Sequence, residues 1–207
     1  KNTWLEDSND IDIYFKFNYK KYKDKSDVIS NILHGYLKKV FNKVLRLHGS
    51  RDYFQINYKG FTVEIVPILE IKKAIEAQNI TDFSQWHVDY VKKNTKKKKG
   101  LVDEIRLAKA FAKANRLYGA ESHIRGFSGY VIELLVIHYG SFLNLVNAAS
   151  SWEERTIIGS KKASDRLNWA KKISPLIIID PVQKDRNAAA AVSGMQYKKF
   201  ISICNKF

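Results

Sequence analysis

The hydrophobic period changes partway along this chain, and that change limits the folds open to it. Before about residue 70, apolar residues mostly alternate, as strands require; after residue 100 they recur at helical spacing. Ile11, Ile13, Phe15 and Phe17 give one strand (Ile11–Phe17) an apolar face turned to a core, and residues 53–58 and 61–69 read as a hairpin around Lys59-Gly60. Between them Ser26 is placed to cap a helix through Leu47, striped by Ile29, Leu33, Leu37 and Val40 and ended by Gly49. A short helix is expected over Ile71–Gln78. The polar, unperiodic, strongly basic run Lys92–Gly100 reads as a linker. Beyond it Val102–Leu117 and Gly129–Ala149 are helical, the second apolar nearly all round and therefore central. A strand follows at Leu176–Ile179, and a last helix at Asn187–Asn205. The expected class is α+β, with a β-rich half over residues 1–100 and a helical half over 101–207.

Charge narrows the partners. Lys and Arg outnumber Asp and Glu 36 to 21, a net charge of +15, and both halves are basic. That excess suits a polyanion, because each cation brought to a phosphate releases counterions; it also fits a merely solvated lysine-rich surface. Cys204 is the single cysteine, so internal disulfides are excluded and a reducing, cytoplasmic setting is expected. No apolar run reaches the ~18–20 residues that span a bilayer, so no membrane partner is expected. The five histidines and Cys204 show no zinc spacing, and no glycine-rich phosphate loop is present. Gly126-Phe127-Ser128-Gly129 has the spacing of a GxxG RNA clamp, but a tight helix entry explains it equally well.

The acids carry the chemistry. In Asn9-Asp10-Ile11-Asp12-Ile13 the two aspartates share one strand face, where they repel. Two solvated acids at a strand entry would satisfy the pattern. So would a hard divalent cation, which prefers carboxylates, phosphate oxygens and water. Glu64 is an acid inside the otherwise apolar strand Phe61–Pro67. A sheet that brought Glu64 beside Asp10 and Asp12 would form a three-carboxylate cluster of the kind that holds two metal ions in phosphoryl and nucleotidyl transfer.

The order of motifs then becomes specific. Thr3-Trp4-Leu5, Asp10-Ile11-Asp12 and Val63-Glu64-Ile65-Val66-Pro67 are followed by Tyr118-Gly119-Ala120-Glu121, Arg125–Tyr130, Glu133-Leu134-Leu135 and Tyr139–Phe142. Asp180-Pro181-Val182 and Arg186–Ala190 continue the series. Together they resemble the archaeal class of CCA-adding tRNA nucleotidyltransferases, in the polymerase-β superfamily, over nearly the whole chain. The resemblance implies a partial catalytic palm over residues 1–100, then a helical nucleotide- and RNA-binding domain over 101–207 like that of poly(A) polymerases and oligoadenylate synthetases. It implies addition of C and A to tRNA from CTP and ATP on two Mg2+ ions, with Asp10, Asp12 and Glu64 as metal-binding catalytic carboxylates. His87, Lys109 and Tyr118 fall on residues that hold the triphosphate and sugar, and Arg186 on the arginine that reads the base.

Some positions depart from the family pattern. Asp10 stands for a usual glutamate, Glu64 for a usual aspartate, and Ser84-Gln85 for a threonine-proline pair before His87. The family's Gly-Ser motif would precede Lys1, and its C-terminal domains would follow Phe207. A second polypeptide or further terminal domains are therefore expected to complete the enzyme. Another RNA-tailing or oligonucleotide-making member of the superfamily, or an inactive RNA-binding relative, stays open.

Overall fold

Lys59 and Gly60 both take positive φ, 50° and 84°, the backbone that a two-residue hairpin needs to match strand twist. Around them the computed structural model, which describes residues 1–5 and 10–207, pairs β3 (Tyr53–Tyr58) with β4 (Phe61–Glu70) antiparallel. Strand β1 (Asp10–Asn18) adds to the other edge of β4 in parallel, and β2 (Leu45–Leu47) to β3 antiparallel, giving the order β1-β4-β3-β2. The class is α+β as expected, with a mixed sheet and helices.

The chain divides into two compact units, Glu6–His87 and Lys1–Leu5 with Val88–Phe207. In the first, a short helical turn α1 (Tyr19–Tyr22) precedes α2 (Ile29–Val40), which lays Ile29, Leu33 and Leu37 over the sheet residues Phe54, Ile56, Val63 and Ile65. The helix stops well short of Leu47. Phe41 turns extended, and Leu45–Leu47 instead finds hydrogen-bonding partners in Tyr53–Gln55. Ser26 does not cap it either, since its hydroxyl accepts from Arg51 Nη2 at 2.6 Å. Arg51 and Asp82 form a buried ion pair, and the Asp82 carboxylate also takes the amides of Leu69, Gln78 and Asn79. In place of the helix expected over Ile71–Gln78 there is a single 3-10 turn at Ala74–Glu76, and a second, Ile80–Phe83, follows it with Asp82 inside.

The face of β1 expected to be core is largely open. Ile11, Ile13 and Phe15 are 41%, 45% and 46% exposed, and of the four only Phe17 is buried. As edge-strand residues they extend the apolar layer of Val63 and Ile65 by one strand beyond what α2 covers.

Helix α3 (Ser84–Lys97) runs straight through most of the supposed linker. Lysine is a good helix former, and the helix persists to Lys97; Gly100, at φ 82°, then begins α4. The second unit is built on α4 (Leu101–Ala114), α5 (Gly129–Tyr139), α6 (Phe142–Ser150) and α8 (Gly194–Cys204), around a core including Ile105, Leu135, Leu145 and Tyr197. The long helix expected over Gly129–Ala149 is two, bent by 91° at Gly140, whose φ of 84° ends α5 before Ser141 caps α6. Among the described residues no single helix is long and apolar enough to cross a membrane. Strand β5 (Thr156–Ile158), which has no sequence signal of its own, pairs in parallel with β6 (Leu176–Ile178); the short helix α7 (Lys161–Asp165) lies between them in the chain. Asn187 bonds to Ile178 N, Leu176 O and Ala189 N, holding its segment against β6, so α8 begins only after the Ser193 cap.

Candidate functional site

The parallel register of β1 and β4 sets Asp12 directly opposite Glu64, and Asp10 opposite Thr62. Cross-strand neighbours share a face, so the two carboxylates stand side by side, with Asp10 one pleat along. Burial pushes the Glu64 carboxyl above its ordinary range; the Asp12 charge pushes the same way, Asp10 less so, and together they outweigh the hydrogen bond that Gln55 donates at 3.3 Å. A cavity of ≈ 260 Å³ opens beside the pair, walled by Tyr14, Gly49, Ser50, Tyr53 and Ser84. The donor set fits a hard divalent cation: oxygen ligands only, carrying a repulsion that a cation would relieve. Among the described residues no three acidic, histidine or cysteine side chains form a ready-made metal cage. A magnesium-type site does not require one, since Mg2+ keeps waters and shares substrate phosphates. His87 is half-buried on the first turn of α3, in the same unit as the carboxylates.

Lys109, Tyr118 and Arg186 belong to the second unit, where one polar network joins Lys109 to Arg186. Lys109, on α4, is only 6% exposed. Its ammonium donates to Thr3 O at 3.0 Å, Thr3 Oγ1 at 3.2 Å and Glu133 Oε1 at 2.8 Å, which accounts for its three N–H bonds. Burial draws its pKa down, and the Glu133 charge resists. Glu133, on α5, also holds Lys1 at 2.8 Å. Burial would raise the Glu133 pKa, but Lys1 and Lys109 together keep the carboxyl below its ordinary value. Gly129, at the start of α5, lets the Tyr118 hydroxyl and the Lys109 ammonium crowd in: a Cβ there would lie 2.8 Å from the first and 3.6 Å from the second.

The Lys1 ammonium lies 5.4 Å from the centre of the Tyr130 ring. Tyr130 in turn donates its hydroxyl to Asp180 Oδ1 at 3.1 Å, and Asp180 Oδ2 accepts from Arg186 Nη1 at 2.7 Å. Burial, then the Asp180 charge, raises the Tyr130 pKa far above normal. Lys109 and Arg186 are therefore joined through Glu133, Lys1, Tyr130 and Asp180. Sequence reasoning assigned no role to these four linking residues. Glu133 had a signal, an acid between Val131-Ile132 and Leu134-Leu135 in an apolar helix.

Three comparisons bear on this geometry. A family model described as tRNA nucleotidyltransferase, second domain, matches residues 103–207. The CCA-adding enzyme of Nanoarchaeum equitans is 44% identical over 98% of this chain and 51% of its own length. That of Methanosarcina barkeri is 33% identical over the whole chain and 44% of its own. The chain thus spans about half the length of these curated relatives. Among solved structures, E. coli MS115-1 CdnC in its complex with HORMA-deltaN shares the fold at a TM-score of 0.61 and 17% identity, covering 98% of this chain and 70% of that one.

Proposed function

The chain belongs to the tRNA nucleotidyltransferase family, and on that premise we propose that it forms the catalytic core of an enzyme that adds C and A to the 3′ end of tRNA, from CTP and ATP, without a template. One observation carries the reading: Asp12 and Glu64 stand opposite each other in parallel strands, with Asp10 on the same face, in a chain whose relatives are CCA-adding enzymes. Nucleotidyltransferases of this family generally use divalent metals. Here Asp10, Asp12 and Glu64 would hold two Mg2+ ions, whose chemistry is to make the RNA 3′ hydroxyl more acidic and to neutralise departing pyrophosphate.

The chain's own residues do the rest. Asp12 and Glu64 fix where positive charge can gather, and the Tyr14 and Tyr53 walls of the neighbouring cavity give a terminal nucleotide a surface to rest on. Lys109 and Tyr118, with His87, hold the triphosphate and sugar. Lys109 acts on the phosphates as a positive point charge. Arg186 presents guanidinium donors to cytosine or adenine. The helical residues 101–207 carry the nucleotide and RNA contacts, and residues 1–100 the carboxylate palm. The greater length of the relatives supports a working enzyme that includes further polypeptide, in the same chain or a second one.

The test is single-nucleotide addition to tRNA lacking its terminal CCA, with Mg2+ and each triphosphate in turn. Addition of C, C and A that then stops is the expected outcome. Tailing that continues, or that accepts UTP equally, would replace this reading with that of another RNA-tailing enzyme.

A further inference from the structure

We propose that Asp180, anchored by Tyr130, is a positioning residue for nucleotide choice: it fixes the guanidinium of Arg186 in one orientation, so that the remaining donors meet the base. The inference rests on the reading of Arg186 as base reader and adds the group that makes such reading selective.

The geometry is that of a built clamp. Asp180 is fully buried, at 0% exposure, two residues after the end of β6. Its Oδ1 accepts from the amides of Val182 at 2.9 Å and Gln183 at 3.3 Å and from the Tyr130 hydroxyl at 3.1 Å; Oδ2 takes Arg186 Nη1 at 2.7 Å. The backbone closes the loop a second time, with Asp180 N donating to Arg186 O at 3.1 Å. Tyr130 is itself immobilised on α5, and the Tyr90 hydroxyl is raised in pKa by burial and by the same carboxylate. The Arg186 side chain keeps 29% of its surface exposed, so one edge is tied inward while the rest stays available.

Such an arrangement does more than hold a loop. An arginine on a flexible stem can donate to uracil and guanine acceptors as readily as to cytosine and adenine ones. Discrimination requires donors that cannot rotate to suit the wrong edge, and a charged, buried, multiply bonded carboxylate supplies that rigidity. The neutral isostere Asp180→Asn keeps the volume, loses the charge holding Arg186 and places an amide donor against existing donors. Its effect on selectivity should run through Arg186.

The experiment is a double-mutant cycle on single-nucleotide addition, reading kcat and KM separately for all four triphosphates, with thermal melting as the check on folding. Arg186→Ala and Asp180→Asn are each expected to raise KM for CTP and ATP and to reduce their preference over UTP by at least about tenfold, the size of one lost charge-assisted hydrogen bond. The double variant should discriminate no worse than Arg186→Ala alone, because Asp180 has nothing left to position. Tyr130→Phe should shift selectivity the same way, more weakly, and takes the place of Asp180→Asn in the cycle if that variant does not fold. The proposal is overturned if Asp180→Asn leaves discrimination intact while Arg186→Ala destroys it, or if the two effects simply add. If Arg186→Ala leaves discrimination unchanged, the base-reading role falls and this inference with it, while C and A addition by the wild type still stands. No addition at all by the wild type would instead defeat the proposed function itself.

Discussion

Two carboxylates set opposite each other on neighbouring strands repel, and Asp12 and Glu64 keep that arrangement although either could have been an uncharged strand residue. If they hold metal, Asp12→Ala should lower nucleotide addition by about a thousandfold, the several kcal/mol that a metal ion contributes to the transition state, while the unfolding transition stays in place. Unchanged turnover would remove the carboxylates from the chemistry. Glu64→Gln separates repulsion from binding. Burial and the Asp12 charge both disfavour the Glu64 carboxylate, so its neutral amide should raise the melting temperature without divalent ions by about 2–4 °C. The same change should abolish the further rise that Mg2+ gives the wild type through linkage. A variant still stabilised by Mg2+ as strongly as wild type would place the ion elsewhere. The pattern Asp10-Ile11-Asp12 was legible because strand geometry alone aligns the two side chains. Their meeting with Glu64 was legible only as a condition, because the pairing joins strands far apart in the chain.

Elements were read best where the signal is local. The hairpin at Lys59-Gly60 is local chemistry; β5, three residues long, exists only because β6 pairs with it. The helix boundaries missed at Val40 and Ser193 are set by partners in space, the β2–β3 ladder and the Asn187 anchor, whereas the one at Gly140 is set by that glycine's own left-handed backbone. Helix α5 shows the same point energetically. Its Glu133 sits among apolar residues because Lys109 and Lys1 meet it there, so Glu133→Gln should cost about 3 kcal/mol at neutral pH by depriving the buried Lys109 of its carboxylate. The sign of the pH effect follows from the lowered Glu133 pKa. Its stabilisation is fully present above the ordinary carboxylate value of 4.5 and is lost as pH falls through the still lower folded value. Wild-type stability should therefore decline in that acid range more steeply than the Glu133→Gln variant's, as chemical unfolding at stepped pH would record. Parallel declines would mean that Glu133 is not held ionised by its lysines.

At the scale of the whole molecule, a net charge of +15 is a statement about partners and not about fold. If tRNA is the partner, log K for binding should fall linearly with log salt, by about 0.9 for each phosphate neutralised on a duplex stem. The exposed lysines at and just beyond the end of α3 offer a focused test, because the structure separates their duties. All four of Lys96–Lys99 are exposed, but Lys98 donates to Gly140 O at 2.8 Å and so caps the C-terminus of α5. Replacing Lys98 confounds RNA binding with the α5–α6 bend; replacing the other three with alanine does not. If these three touch phosphate, the triple variant should shallow the salt slope by as much as about 3 and weaken tRNA binding at low salt while converging on wild type at high salt. Helix content and melting temperature should hold, since alanine is at least as good a helix former. A slope identical to wild type would assign these lysines to solvent and move the RNA path elsewhere on the basic surface. A nearly flat slope for the wild type itself would show that the charge does not serve nucleic acid at all, and would remove the physical basis for placing tRNA on this chain.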